Sequence, residues 1–234
     1  MNRTLLRRPL LSVVLWGFAC AAVLAAAEKA PKKPAETSGI EAEVKRYEAK
    51  DRDVVKRQDE VVAACGLKPG MTVADVGAGS GLFTRRFAAA VGTCAKVFAV
   101  DVDKRCVDHI AQTCRQQKIA NVVGVVGKAD STELPAESVD LVFVCDSYHH
   151  FDRPAKMLSS IHRALRPGGR LLLIDFTKEG PMKDHVRADK QTLLNDLAAA
   201  GFKLVDALDF LPDQYVLRLV RTNPNEPPHA AEHR

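Results

Sequence analysis

The chain has 234 residues, 47% hydrophobic and 27% charged, with a formal net charge of +5. That length holds one domain with a full core, and the composition excludes a low-complexity or fibrous chain. Three of the positive charges, Arg3, Arg7 and Arg8, fall in the first eight residues, and no basic run is interleaved with aromatics, so no nucleic-acid partner is expected.

The six cysteines stand at positions 20, 65, 94, 106, 114 and 145. None forms C-x-x-C or a Cys/His cluster with zinc spacing, so no metal site is expected. They read as small buried apolar side chains, with disulfides left open for an exported protein.

Residues 1–27 read as a targeting segment. A basic start, Asn2–Arg8, precedes the apolar run Leu10–Ala27, which ends in Ala25-Ala26-Ala27 before the first acid, Glu28. This is the pattern of a secretory signal cleaved after Ala27. The run is also long enough for an uncleaved membrane anchor. Arg7-Arg8-Pro9-Leu10-Leu11 weakly resembles a twin-arginine signal. Gly17 stands where a lipidation site at Cys20 needs a leucine. The expectation is a protein that is exported (periplasmic or secreted) or membrane-anchored, associating with membrane through this segment. Residues 28–39, rich in Lys, Pro, Ala and Ser, read as a flexible linker.

Residues 40–222 read as the folded domain. Ile40–Cys65 is strongly charged with sparse apolar positions, which predicts one or two helices packing across a sheet edge. Pro69-Gly70 predicts the turn into the first strand, Thr72–Val76. After it come Gly77-Ala78-Gly79-Ser80-Gly81 and a helix to Val91. Glycines at alternate positions remove side chains where a ligand must approach the backbone. The free N–H groups of the following helix start are expected to face that ligand. Asp75 closes the strand at the same crevice. The dinucleotide fingerprint G-x-G-x-x-G does not fit, because Leu82 takes its third glycine position and Asp75 has no role in it.

Strands and helices then alternate, as in a parallel sheet. The second strand, Lys96–Asp101, ends in an acid whose carboxylate can accept bonds from two adjacent ribose hydroxyls. Asp103 is expected to cap the helix Lys104–Gln117. The third strand is Val122–Val126, followed by the loop Lys128–Pro135. The fourth, Val139–Cys145, is continuously apolar, as in a sheet covered on both faces. A helix over Pro154–Leu165 is stopped by Pro167-Gly168-Gly169 before the fifth strand, Arg170–Phe176. A helix over Val186–Ala200 ends on Gly201. Lys203–Phe210 and Tyr215–Arg221, turning at Pro212-Asp213, predict an antiparallel hairpin. Residues 223–234 read as a disordered tail. The expected architecture is α/β: a Rossmann-like, seven-stranded, mostly parallel sheet with helices on both faces and a carboxyl-terminal antiparallel hairpin.

Asp75-x-Gly77-x-Gly79-x-Gly81 resembles the first motif of class I S-adenosylmethionine (SAM) dependent methyltransferases. Asp101, Asp130, the segment Cys145–Asp152 and Leu165-Arg166-Pro167-Gly168-Gly169 follow in the family's order, so the resemblance spans about residues 61–221. The nearest likeness is to enzymes acting on small molecules, including the ubiquinone/menaquinone C-methyltransferase group. The resemblance implies SAM as cofactor, held by Asp75, Gly77, Ala78, Gly79, Ser80, Gly81, Asp101, Val102, Asp130, Ser131 and Asp146. Asp130 would meet the adenine amino group, and Ser131 would offer an N–H to a ring nitrogen. Asp146 would touch the donor's methionine part or the acceptor.

The expected function is methyl transfer from SAM to a small-molecule acceptor. Its donor is already activated by a positive sulfur, so the protein mainly aligns the acceptor and takes up a proton where one is lost. His149 or His150 is the candidate base, since imidazole titrates near neutral pH. Tyr47 and Gln58 are candidates for closing the pocket. Cys145 as a soft ligand for an arsenic-type acceptor is set aside, because the multi-cysteine arrangement of arsenite methyltransferases is absent. Alternatives are a protein carboxyl methyltransferase and a noncatalytic SAM- or nucleotide-binding protein. A dehydrogenase fits worst, given Leu82 and Asp75. SAM is made in the cytoplasm while the leader points outward, so either the leader anchors a domain that faces the cytoplasm, or export occurs and the donor is obtained otherwise.

Overall fold

The computed structural model describes residues 39–186 and 188–222. The expected leader (1–27) with Cys20, residues 28–38 of the expected linker and the expected tail (223–234) lie outside the described residues.

Among the described residues, seven strands form one sheet: β1 (Val73–Val76), β2 (Val97–Asp101), β3 (Val122–Val126), β4 (Val139–Cys145), β5 (Leu165–Phe176), β6 (Phe202–Leu208) and β7 (Gln214–Arg221). Their order is β3-β2-β1-β4-β5-β7-β6. The first five are parallel, and β7 runs antiparallel between β5 and β6. The chain leaves β1 toward β2 and β3, then returns to place β4 on the other side of β1. That reversal opens a crevice at the carboxyl ends of β1 and β4.

The helices are α1 (Glu41–Tyr47), α2 (Asp53–Lys56), α3 (Gln58–Ala64), α4 (Leu82–Val91), α5 (Lys104–Gln116), α6 (Pro154–Ala164) and α7 (Lys190–Ala199). Because strand side chains alternate, each central strand feeds two cores. Val73, Val97, Leu141, Phe143, Leu172 and Ile174 pack against α3 and α4, where Phe83, Phe87 and Phe143 form an aromatic group with centroids 5.0–6.1 Å apart. Ala74, Val142, Val144, Leu171 and Leu173 meet α6 and α7 on the other face. Residue 124 of β3 is glycine because α5 lies so close: a Cβ there would stand 2.6 Å from Val107.

Three expectations need correction. The segment 40–65 holds three helices, and α2 and α3 cover the α4 face of the sheet rather than an edge, because Val54, Val55, Val61 and Ala64 find a deep apolar surface there. Strand β5 begins at Leu165, ahead of Pro167-Gly168-Gly169. Leu165 already pairs with Val139, and the register then jumps to Leu141 and Arg170, with Gly168 at φ +72° absorbing the bulge. Helix α7 begins at Lys190, where the side chain of Asp189 accepts from the Thr192 amide. Val186 is buried outside the helix, so its apolar character misplaces the helix start. The loop 127–138 joins β3 to β4, as expected, anchored by Leu134 and by Thr132 on Ser160 of α6.

Cys65, Cys94, Cys106, Cys114 and Cys145 are free thiols. Among the described residues no helix is long and apolar enough to cross a membrane.

Candidate active site

A cavity of about 410 Å³ opens at the carboxyl ends of β1, β2 and β4, within the range of pockets that enclose a small molecule. Its floor is the glycine turn. Gly77, Gly79 and Gly81 all have positive φ, at +78°, +54° and +74°, a region that side-chain-bearing residues rarely adopt. A Cβ on Gly77 would lie 2.1 Å from the Ser147 hydroxyl, and one on Gly79 would meet the Tyr47 ring at 3.2 Å. Gly81 serves packing and does not line the cavity: a Cβ there would meet Ile110 of α5 at 2.7 Å.

Five amides of this stretch are engaged within the protein, where free N–H groups facing the ligand were expected at the helix start. Gly77 and Ala78 donate to the Val100 carbonyl, Gly79 to Asp101, Gly81 to the Ala78 carbonyl and Leu82 to the Ser80 hydroxyl. The start of α4 is closed by Asp75 itself. Its carboxylate, 3% exposed, accepts from the Thr84 hydroxyl at 2.5 Å. Burial raises its pKa to about 7, the Thr84 bond working against the shift and the charge of Asp101 adding to it. A pyrophosphate would need that helix start with bare amides and no buried carboxylate. A buried carboxylate at this helix start disfavours a phosphate there.

Asp101 splits its oxygens between two amides. Oδ2 accepts from Gly79 and Oδ1 from Asp103, each at 2.9 Å. A carboxylate has about four lone-pair sites, so acceptor capacity remains toward the cavity it lines. Burial leads the upward shift of its pKa. Val102, 61% exposed beside it, offers an apolar surface to a flat ring. Asp103 caps α5 through the Arg105 amide, as expected. Gly127, Lys128, Ala129 and Ser131 continue the wall. Asp130 does not: its carboxylate pairs with Arg153 at 3.0 Å and lies 3.7 Å from Lys156, both on the α6 side.

The fourth strand ends in Asp146, which lines the cavity at φ +49°. That left-handed conformation is held by its bonds: its amide donates to Ile174, and its carboxylate accepts from Arg52 at 2.6 Å and from Gln214. Arg52 also donates to the Tyr47 carbonyl, which draws α1 across the glycine turn and makes Arg46, Tyr47 and Arg52 a third wall. Gln58 is not part of it and binds Arg86 instead.

The two histidines part company in the 3-10 turn Tyr148–His150. His150 lines the cavity; His149 stands behind it, ring centroids 4.0 Å apart. Asp175, the last acid of β5, takes the His149 amide at 2.9 Å and its Nδ1 at 2.6 Å. Burial pulls the His149 pKa down, but the Asp175 bond and charge outweigh it and raise it. Burial and then His149 lower that of His150, with Asp175 pulling the other way and His185 and Arg46 adding to the lowering.

Of the sequence-expected residues, Asp75, Gly77, Ala78, Gly79, Ser80, Asp101, Val102, Ser131, Asp146 and His150 meet at one cavity, while Gly81, Asp130 and His149 do not line it. Arg46, Arg52, Asp175 and Gln214 were missed. Asp175 had a signal, an acid closing an apolar strand as Asp75 and Asp101 do. The other three had none, since contact across the fold selects them.

Residues 74–173 match the family model of the methyltransferase domain. The ubiquinone/menaquinone biosynthesis C-methyltransferase UbiE of Escherichia fergusonii is 31% identical over 114 residues, covering 48% of this chain and 45% of the relative. That of Ectopseudomonas mendocina is 31% identical over 120 residues, covering 49% and 45%. The alignments thus span less than half the length of these relatives. A crystal structure of a SAM-dependent methyltransferase from Aquifex aeolicus is 25% identical, with a TM-score of 0.70 over 76% of this chain and 97% of that one. Phosphoethanolamine N-methyltransferase 2 of Haemonchus contortus, solved with SAM, shares the fold at 17% identity and a TM-score of 0.63, over 72% of this chain and 53% of that one. Residues 74–173 thus match a methyltransferase domain, in a fold shared with solved SAM-dependent methyltransferases, which makes SAM its cofactor.

Proposed function

We propose that the protein transfers the SAM methyl group to a small-molecule acceptor, with His150 as the proton acceptor. The carrying observation is Asp75, a buried carboxylate at the start of α4 where a nucleotide phosphate would otherwise sit. It suits a positively charged adenosyl donor and opposes a dinucleotide.

When bound, SAM supplies a methyl group on a positive sulfur. The residues that would hold it line the cavity: the glycine turn would leave room for it, Asp101 beside Val102 would accept from its ribose hydroxyls, Ser131 and Ala129 would border its adenine, and Asp75 and Asp146 would face its methionine part. The acceptor is aligned by the wall that α1 and Arg52 bring in. His150 lines the cavity and its lowered pKa keeps it neutral, so it can take a proton. His149 holds its own proton against Asp175 and positions His150.

Calorimetry on the full-length protein tests the donor: SAM is expected to bind and NAD to give no heat. Tight NAD binding without a SAM response would overturn the reading. Export or anchoring by residues 1–27 is also proposed, resting on their sequence alone; amino-terminal sequencing of fractionated cells tests it.

A further inference from the structure

We infer that Gln214 and Arg52 are positioning residues for the donor: they hold the Asp146 carboxylate at the cavity wall, where it takes the amino-acid end of SAM. The inference deepens the methyltransferase reading and rests on it. Three elements distant in sequence meet at this point. Asp146 follows β4, Gln214 opens β7, and Arg52 stands just before α2. Gln214 Nε2 donates to Asp146 Oδ1 at 2.5 Å, and Arg52 donates to Oδ2 at 2.6 Å. Asp146 and Arg52 line the cavity, whereas Gln214 does not and reaches it only through Asp146.

Two features set this contact apart from strand packing. Gln214 is buried at the start of a strand whose other buried residues, Val216, Leu217 and Leu219, are apolar. An apolar side chain would fill its place without the cost of burying an amide, so the amide stands there for its bond. Asp146 has φ +49°, a conformation uncommon for a residue with a side chain. Its amide bond to the Ile174 carbonyl and the two side-chain bonds hold it there. Backbone of this kind persists where its surroundings over-determine it, and it collects at ligand sites.

The order of the strand tips places the two ends of the donor. Asp101 closes β2, the glycine turn follows β1 and Asp146 follows β4, with β1 between the other two strands. Neighbouring strands lie about 4.8 Å apart, so Asp146 stands on the order of 10 Å from Asp101, across the glycine turn. A donor whose ribose meets Asp101 and whose adenine lies toward the loop after β3 extends its amino-acid end over the bare glycines toward β4. The fit there is close, since a Cβ on Gly77 would meet the Ser147 hydroxyl at 2.1 Å. Arg52 and Gln214 engage one oxygen of Asp146 each. A carboxylate has about four acceptor sites, so capacity remains for the donor's ammonium. Burial raises the Asp146 pKa, while Arg52 and Gln214 oppose the rise and favour the ionised acceptor.

The test compares S-adenosylhomocysteine with methylthioadenosine, two neutral thioethers that differ in the amino-acid end. Calorimetry on the full-length protein at pH 7 measures both affinities. The wild type is expected to prefer S-adenosylhomocysteine. Gln214→Met should lower that preference about tenfold, the scale of a hydrogen bond to a charged group, while methylthioadenosine binds unchanged. In Asp146→Gly, where glycine accepts the left-handed backbone, the preference should already be low, and adding Gln214→Met should not lower it further. Equal losses for both ligands would make Gln214 merely structural and overturn the inference. So would a preference that survives Gln214→Met, or one that falls again when Gln214→Met is added to Asp146→Gly. Far-UV circular dichroism reports the fold of each variant. Should Gln214→Met or Asp146→Gly fail to fold, the partly exposed Arg52→Met decides alone: the same tenfold fall with methylthioadenosine unchanged supports the inference, and its absence overturns it. A wild-type protein that binds both thioethers equally keeps the methyltransferase reading and loses the inference. One that binds neither thioether nor SAM sinks that reading and the inference with it.

Discussion

Asp75 stores a cost that its ligand recovers. With its pKa raised to about 7 from the ordinary 3.8 by burial, the free protein is favoured by protonation at this site. The sign follows from linkage: the stability linked to this group is full below 3.8 and is lost as pH rises through about 7. A cationic donor reverses the preference by drawing the proton off. With half-ionisation near 7, SAM affinity should rise about tenfold between pH 6 and pH 8 through this group. In Asp75→Asn that pH dependence should vanish and affinity should fall, while the free variant melts at a higher temperature than the wild type at pH 8. Calorimetry and thermal scans at the two pH values check it. The identity of this residue was legible because an acid in an apolar strand has few structural reasons to exist. Its bond to Thr84 was not, since the pairing depends on how α4 sits over β1.

At the scale of elements, α1 is held by charge rather than by burial. It has no buried residue, and its contacts are Glu48 to Arg85 at 2.7 Å and Glu43 near Arg105 at 3.9 Å, with Arg52 reaching from the following turn to Asp146. Only Ile40, just before it, is buried, at 2% exposure. Arg52→Met leaves the Asp146 carboxylate, 8% exposed, with Gln214 as its remaining side-chain partner. The loss should cost about 2 kcal/mol, the range for a buried carboxylate deprived of one charged partner that is itself partly exposed. Hydrogen exchange should quicken across residues 41–56 and stay unchanged in β1 and β2. High salt should quicken the same segment in the wild type, because exposed ion pairs are screened. The charged composition of 40–65 announced helices here but not their number. The breaks at residues 48–52 and at Arg57 come from tertiary contacts that no propensity contains.

Across the whole molecule, the sheet is both core and scaffold. Phe143 stands at the centre of β4, wholly buried, packed against Phe83 and Phe87 and bordering the cavity. Phe143→Ala should therefore cost about 3–5 kcal/mol, as truncations of large core aromatics do. At roughly 2–4 °C per kcal/mol for a domain of this size, the thermal midpoint should drop by roughly ten degrees. SAM affinity should fall with it, since wall and core share that side chain; scanning calorimetry with and without SAM separates the two effects.

The sequence by itself determined the alternation of strands and helices, the glycine turn, and the acids at the tips of β1 and β2. Each of these is a local matter: periodicity, backbone freedom, and the cost of a charge at the end of an apolar run. Tertiary structure decided the order of the strands, the pairing of Arg52 with Asp146, the turning of Asp130 toward Arg153, and which of two adjacent histidines reaches the cavity. Those outcomes depend on which side chains compete for the same space and the same counter-charge, and the competitors lie 23 to 94 residues apart.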